Sequence, residues 1–141
     1  MEINLYQIQH ALFHKTFGNF IIKLCDFEKG GLCIICQDDA QVKKIDDMLW
    51  TFAQLSFLPH AAYYDDVKQG DVPVIITNKQ YIKGRVPVYM SLSLVMQAQH
   101  EKTFVIDVEF QNVNSLKNRF VKERLSHKIF RQEQFGKWRT Y

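Results

Sequence analysis

Cys33 and Cys36 form a Cys-x-x-Cys pair. Thiol oxidoreductases use that spacing with the first thiolate at a helix N-terminus, which lowers its pKa. Here both cysteines lie inside the apolar run LCIIC, ahead of the turn. Side chains three apart on a strand point to opposite faces, so the two thiols are not expected to meet. Both are expected in the core, as is Cys25. A zinc site would need a second ligand pair, and none is spaced for it. His10 and His14 stand four apart on one helical face but lack the adjacent Glu of an HExxH motif; a surface or partly packed helix is the expected setting. Asp38-Asp39, Asp46-Asp47 and Asp65-Asp66 are adjacent in sequence, as solvated caps and turns often are. No GxSxG elbow, GxxxxGK[ST] loop or GxGxxG loop occurs. No catalytic residue, metal site or cofactor is expected.

The basic residues carry more information. From Val113 to Tyr141 eight basic side chains face two acidic ones, a net charge of +6, while the rest of the chain carries −3. That asymmetry points to an anionic partner for the C-terminal end. At about 100° per residue, Lys117, Arg124, Lys128 and Arg131 fall on one stripe of a helix. Val121, Leu125 and Ile129 form an apolar arc on one side of it, and Phe120 and His127 border the other. Cations beside apolar surface suit an acidic peptide with a hydrophobic end. The same stripe also fits a solvated charged face, or direct contact with nucleic acid phosphates. Trp50, at the end of an amphipathic helix, and Phe57, in the segment that follows, are candidate anchors of a protein interface or core residues.

These side chains must be positioned by one domain, residues 1–141. At 141 residues, 47% hydrophobic and 23% charged, the chain suits a single globular domain that folds without disulfides. No apolar run approaches a membrane span, no signal peptide is evident, and three cysteines suit a reducing compartment, the cytoplasm by default. Strands are expected at Ile3–Ile8, Leu32–Cys36, Val72–Thr77, Val86–Leu94 and Thr103–Phe110. Helices are expected at His10–Phe27, after Asp38 or Asp39 as N-cap, and over Asn114–Phe135. Fully apolar LCIIC reads as a buried parallel strand. The fold class is therefore α/β: a mostly parallel sheet with helices on both faces, Rossmann-like but without a phosphate-binding loop, since the first strand–helix junction QIQHALF has no glycine.

The stretch Cys33–His60 resembles the chi subunit of bacterial DNA polymerase III: a buried strand, the acidic turn Gln37-Asp38-Asp39, Ile45-Asp46, Leu49-Trp50 and the segment Ser56–His60. The C-terminal basic residues, with Lys128-x-x-Arg131 preceded by Arg124, are similar to the family's as well. The resemblance implies a non-catalytic accessory subunit of the clamp loader. It implies binding of the acidic tail of single-stranded DNA-binding protein, which ends in Phe, and a link to the clamp loader through a small psi-like partner. The tail-binding positions would fall on Arg124, His127, Lys128 and Arg131, and the psi-facing aromatics on Trp50 and Phe57. With the stripe's neighbours, the expected tail site is Lys117, Phe120, Val121, Arg124, His127, Lys128 and Arg131. The rival readings are a module that binds single-stranded nucleic acid directly, or a nucleotide or thiol enzyme.

Overall fold

The computed structural model describes residues 2–51, 60–62, 72–79, 81–95 and 100–141. Phe57, and the segment Ser56–Pro59 that carries it, lie outside the described residues. The elements in order are β1 (Glu2–Gln7), a 3-10 turn (His10–Leu12), α1 (Phe13–Phe27), β2 (Leu32–Ile35), α2 (Asp39–Thr51), β3 (His60–Ala62), β4 (Val74–Thr77), β5 (Val86–Tyr89), a 3-10 turn (Leu92–Val95), β6 (Lys102–Asp107), α3 (Val113–Lys122), β7 (Ser126–Gln132) and β8 (Trp138–Thr140). The strands form one sheet in the order β3-β4-β2-β5-β6-β1-β7-β8. Every neighbouring pair is parallel except β7 and β8. The expected α/β class with helices on both faces is what the chain adopts.

Strand alternation divides the core into two layers. Phe17, Ile21 and Leu24 of α1 and Val42, Ile45 and Met48 of α2 pack with Leu32 and Ile34 on one face. Leu116 and Phe120 of α3 pack with Ile3, Leu5 and Ile129 on the other. Cys33 joins the second layer and Cys36 the first, so the thiols of the Cys-x-x-Cys pair sit on opposite sides of the sheet. Burial pushes the Cys36 thiol up to about 12, with Asp38 adding to the effect. Burial likewise raises Cys33, the reverse of an activated nucleophile. Asp38 caps α2 by accepting the Gln41 N–H at 2.8 Å. His10 and His14 are both exposed, on the 3-10 turn and on α1.

The C-terminal third departs from the expected single helix. α3 ends at Lys122, and Ser126–Gln132 is a strand parallel to β1, in the register Ile3↔His127 and Leu5↔Ile129. β1 is central in this arrangement and buries Ile3, Leu5 and Gln7. A helix over 126–132 would leave the outer backbone N–H and C=O groups of β1 without the ladder that β7 supplies.

Candidate functional site

α3 begins at Asn112, whose side-chain oxygen accepts the Ser115 N–H at 3.0 Å. Val113, Leu116 and Phe120 turn inward at helical spacing. The helix stops through paired C-terminal hydrogen bonds: Leu125 N–H to the Phe120 carbonyl at 2.8 Å, and Arg124 N–H to the Val121 carbonyl at 3.0 Å. This motif puts its C′ residue in the left-handed region and normally recruits glycine there. Here the residue is Arg124, at φ +58°. No glycine or proline marks the stop, which is why side-chain periodicity alone runs the helix on to Phe135.

The turn redistributes the expected site. On β7, alternate side chains go to opposite faces. His127 and Arg131 share the α3 face with buried Ile129. Lys128 projects from the α1 face, where it meets Glu2 at 3.8 Å; Phe130 shares that face and stacks on Tyr6 at 4.6 Å. The four cations therefore do not form one stripe, and Lys128 is parted from the other three. Ile129 is core, so the apolar arc of Val121, Leu125 and Ile129 is not continuous either. Val121 is 67% exposed and Phe120 is only 1% exposed. Phe120 lines no open notch: it is the floor under His127, whose ring lies 5.2 Å away and whose Nδ1 is 3.1 Å from the Leu125 carbonyl oxygen.

Arg131 is committed to the fold. Its Nε donates to Gln7 Oε1 at 2.7 Å, and a terminal nitrogen donates to the Gln111 carbonyl at 3.4 Å. Its guanidinium lies over the Phe110 ring at 5.2 Å, a cation–π arrangement. Gln7 Nε2 donates to the buried Asp107 carboxylate at 2.9 Å, and Asp107 also accepts the backbone N–H groups of Glu109 and Gln111. This network fixes the loop between β6 and α3. Sequence reasoning missed all of it, because Gln7 and Asp107 stand a hundred residues apart and only the pairing of β1 with β6 joins them. Arg139, one of the eight basic residues of the C-terminal end, lies directly opposite Arg131 in the β7–β8 ladder and pairs with Glu133 at 3.0 Å.

What remains of the expected tail site is a compact group at the C-terminal end of α3. Lys117 and Val121 are one helical turn apart, Arg124 follows in the turn, and His127 enters from β7. Lys117 and Arg124 form no ion pair among the described residues, whereas Arg119 is held by Glu123 at 3.3 Å. Two unneutralised cations beside exposed Val121 can receive a carboxylate-rich chain with an apolar side group. The second candidate surface is represented by Trp50 alone, 55% exposed near the end of α2. Among the described residues, no group of three or more His, Cys, Asp or Glu side chains could hold a metal ion, and no helix is long and apolar enough to cross a membrane.

A family model described as DNA polymerase III chi subunit, HolC, matches residues 2–127. The match takes in α3, Arg124 and His127 and stops short of most of β7 and all of β8. Comparison with curated proteins and with solved structures returned no match. The chain belongs to the chi subunit family, and so to the non-catalytic accessory subunits of the replicative DNA polymerase.

Proposed function

We propose that this chi-family chain is an adaptor that holds the acidic C-terminal tail of single-stranded DNA-binding protein at the end of α3. Lys117 and Arg124 take the carboxylates, and Val121 with His127 takes the terminal aromatic ring. The observation that carries the reading is a pair of cations without an ion pair among the described residues, half-buried Lys117 and exposed Arg124, beside exposed Val121 at one helix end. Lys128 is left out because it points to the other sheet face, and Arg131 because Gln7, Gln111 and Phe110 already hold its guanidinium. A psi-like partner docking on Trp50 and Phe57 would join this adaptor to the clamp loader in the cytoplasm, and at the α3 end DNA would be reached only indirectly, through the bound tail.

The test is calorimetric titration with a synthetic acidic tail peptide ending in Phe. Contacts to charged groups contribute about 1.5–3 kcal/mol each, and a reversed charge adds repulsion. Arg124→Glu and Lys117→Glu should each abolish measurable binding, while Lys128→Glu leaves it nearly unchanged. Affinity should also fall with salt, since the contacts lie at the surface. Undiminished titration of the Arg124→Glu protein would overturn the assignment.

A further inference from the structure

A second surface lies on the opposite face of the sheet, between α1 and the β7–β8 hairpin. It is a groove of about 560 Å³ that runs beside α1 from Leu12 to Phe27, roughly 22 Å at the helical rise per residue. Three large rings stand along it. Phe27, 80% exposed, closes α1. Phe135, 90% exposed, sits at the hairpin tip, where Gly136 adopts φ +91° and its N–H reaches the Glu133 carbonyl at 2.9 Å. Trp138, 43% exposed, stands on β8 with its ring edge-on to Tyr6 at 5.6 Å. Lys15 and Lys23 line the same groove, no carboxylate does, and neither lysine forms an ion pair among the described residues.

We propose that this groove binds single-stranded nucleic acid directly, with bases stacking on Phe27, Phe135 and Trp138 and phosphates meeting Lys15 and Lys23. Single-strand sites combine a positive groove with aromatic platforms, and a length of this order accommodates several nucleotides. The lining decides against an acidic peptide. Successive bases can stack on all three exposed rings, whereas a tail peptide ending in Phe has one terminal ring to place. It also decides against self-association, which would bring two copies of an unneutralised lysine pair together. A strand held here would lie on the α1 face while the protein tail is held at the end of α3.

The experiment uses the full chain carrying Trp50→Phe, which leaves Trp138 as the one tryptophan. Titration with oligo(dT) at low salt should quench Trp138 fluorescence saturably. Phe135→Ala should weaken the binding roughly ten-fold, within the range measured for loss of one stacking ring. The double charge reversal Lys15→Glu/Lys23→Glu should weaken it at least as much and flatten its salt dependence. Arg124→Glu should leave it unchanged. The proposal is overturned by the absence of saturable quenching, by binding that Phe135→Ala and the lysine reversals leave intact, by quenching with the acidic peptide but not the oligonucleotide, or by sedimentation showing Phe135-dependent dimers.

Discussion

Replacing Arg124 with glycine separates what this residue does for the fold from what it does for a ligand. A non-glycine residue in the left-handed region costs roughly 1–2 kcal/mol. Three positive-φ positions, Gly31, Gly84 and Gly136, already carry glycine, but Arg124 does not. The Arg124→Gly change relieves that strain and, against it, adds about 0.5–1 kcal/mol of unfolded-chain freedom. The expected balance is a native state more stable by about 0.5–1 kcal/mol, or a Tm higher by roughly 2–4 °C for a domain of this size. Tail binding should move the other way, by about 1.5 kcal/mol or slightly more than ten-fold, for loss of one charge-assisted contact. Arg124→Ala keeps the strained Cβ and loses the charge, so it should bind as weakly as the glycine variant without the rise in Tm. Urea unfolding with matched m values gives the first quantity, and calorimetry with the tail peptide gives the second. If the glycine variant proves less stable than the parent, the Arg124 side chain holds the fold together and the reasoning fails; if it is more stable and binds undiminished, Arg124 is no contact.

Arg131→Ala should destabilise the domain by about 2–3 kcal/mol, since it leaves Gln7 Oε1 without its donor and strips the Phe110 ring of its cation; Arg131→Lys should recover little of this in urea unfolding, because an ammonium reproduces neither the planar stack nor the fork. A disulfide-exchange reagent at neutral pH should modify Cys33 and Cys36 only as fast as the protein opens, because both thiols are buried and Cys36 is pushed up to about 12; rapid labelling of either in the folded protein would contradict the placement. His100 accepts or donates a 2.9 Å bond with the Tyr89 hydroxyl and lies against the Tyr81 ring, and burial lowers its pKa from the ordinary 6.5. The unfolded chain therefore takes up the proton first as pH falls below 6.5, so this site's contribution to stability is lost between 6.5 and the lower folded value. His100→Gln should reduce that acid-side loss in chemical unfolding measured across the interval.

Much of the architecture was legible because its signals are local. LCIIC carries no polar side chain and is followed by Asp38, so a buried strand and a capped helix could be read without any long-range information. The expected strands Val86–Leu94 and Thr103–Phe110 proved shorter, ending at Tyr89 and Asp107. Beyond Tyr89 the chain turns into a 3-10 segment that tucks Leu92 and Val95 under the sheet, and beyond Asp107 the carboxylate gathers the backbone of the next loop. The candidate site was legible only in part. Residue type picked out Lys117, Arg124 and His127, but the wheel that joined them to Lys128 and Arg131 assumed one helix. Helical and strand periods assign these cations to different faces, and what selects the strand is β1, more than a hundred residues away in sequence.

Among the described residues, the two non-glycine positions with positive φ bracket α3: Phe110 at +55° before it and Arg124 at +58° after it. Their circumstances differ. Phe110 is half-buried, and its ring receives the Arg131 guanidinium, so the fold itself offsets the strain. Arg124 is exposed and forms no ion pair among the described residues, and its backbone bond to Val121 would be made equally by glycine. Strain that no described residue repays is what the proposed contact with a partner would offset. An arginine turned outward by a left-handed residue, beside Lys117 and exposed Val121, suits the proposed acidic tail in a way that a continuous helix through Arg131 would not.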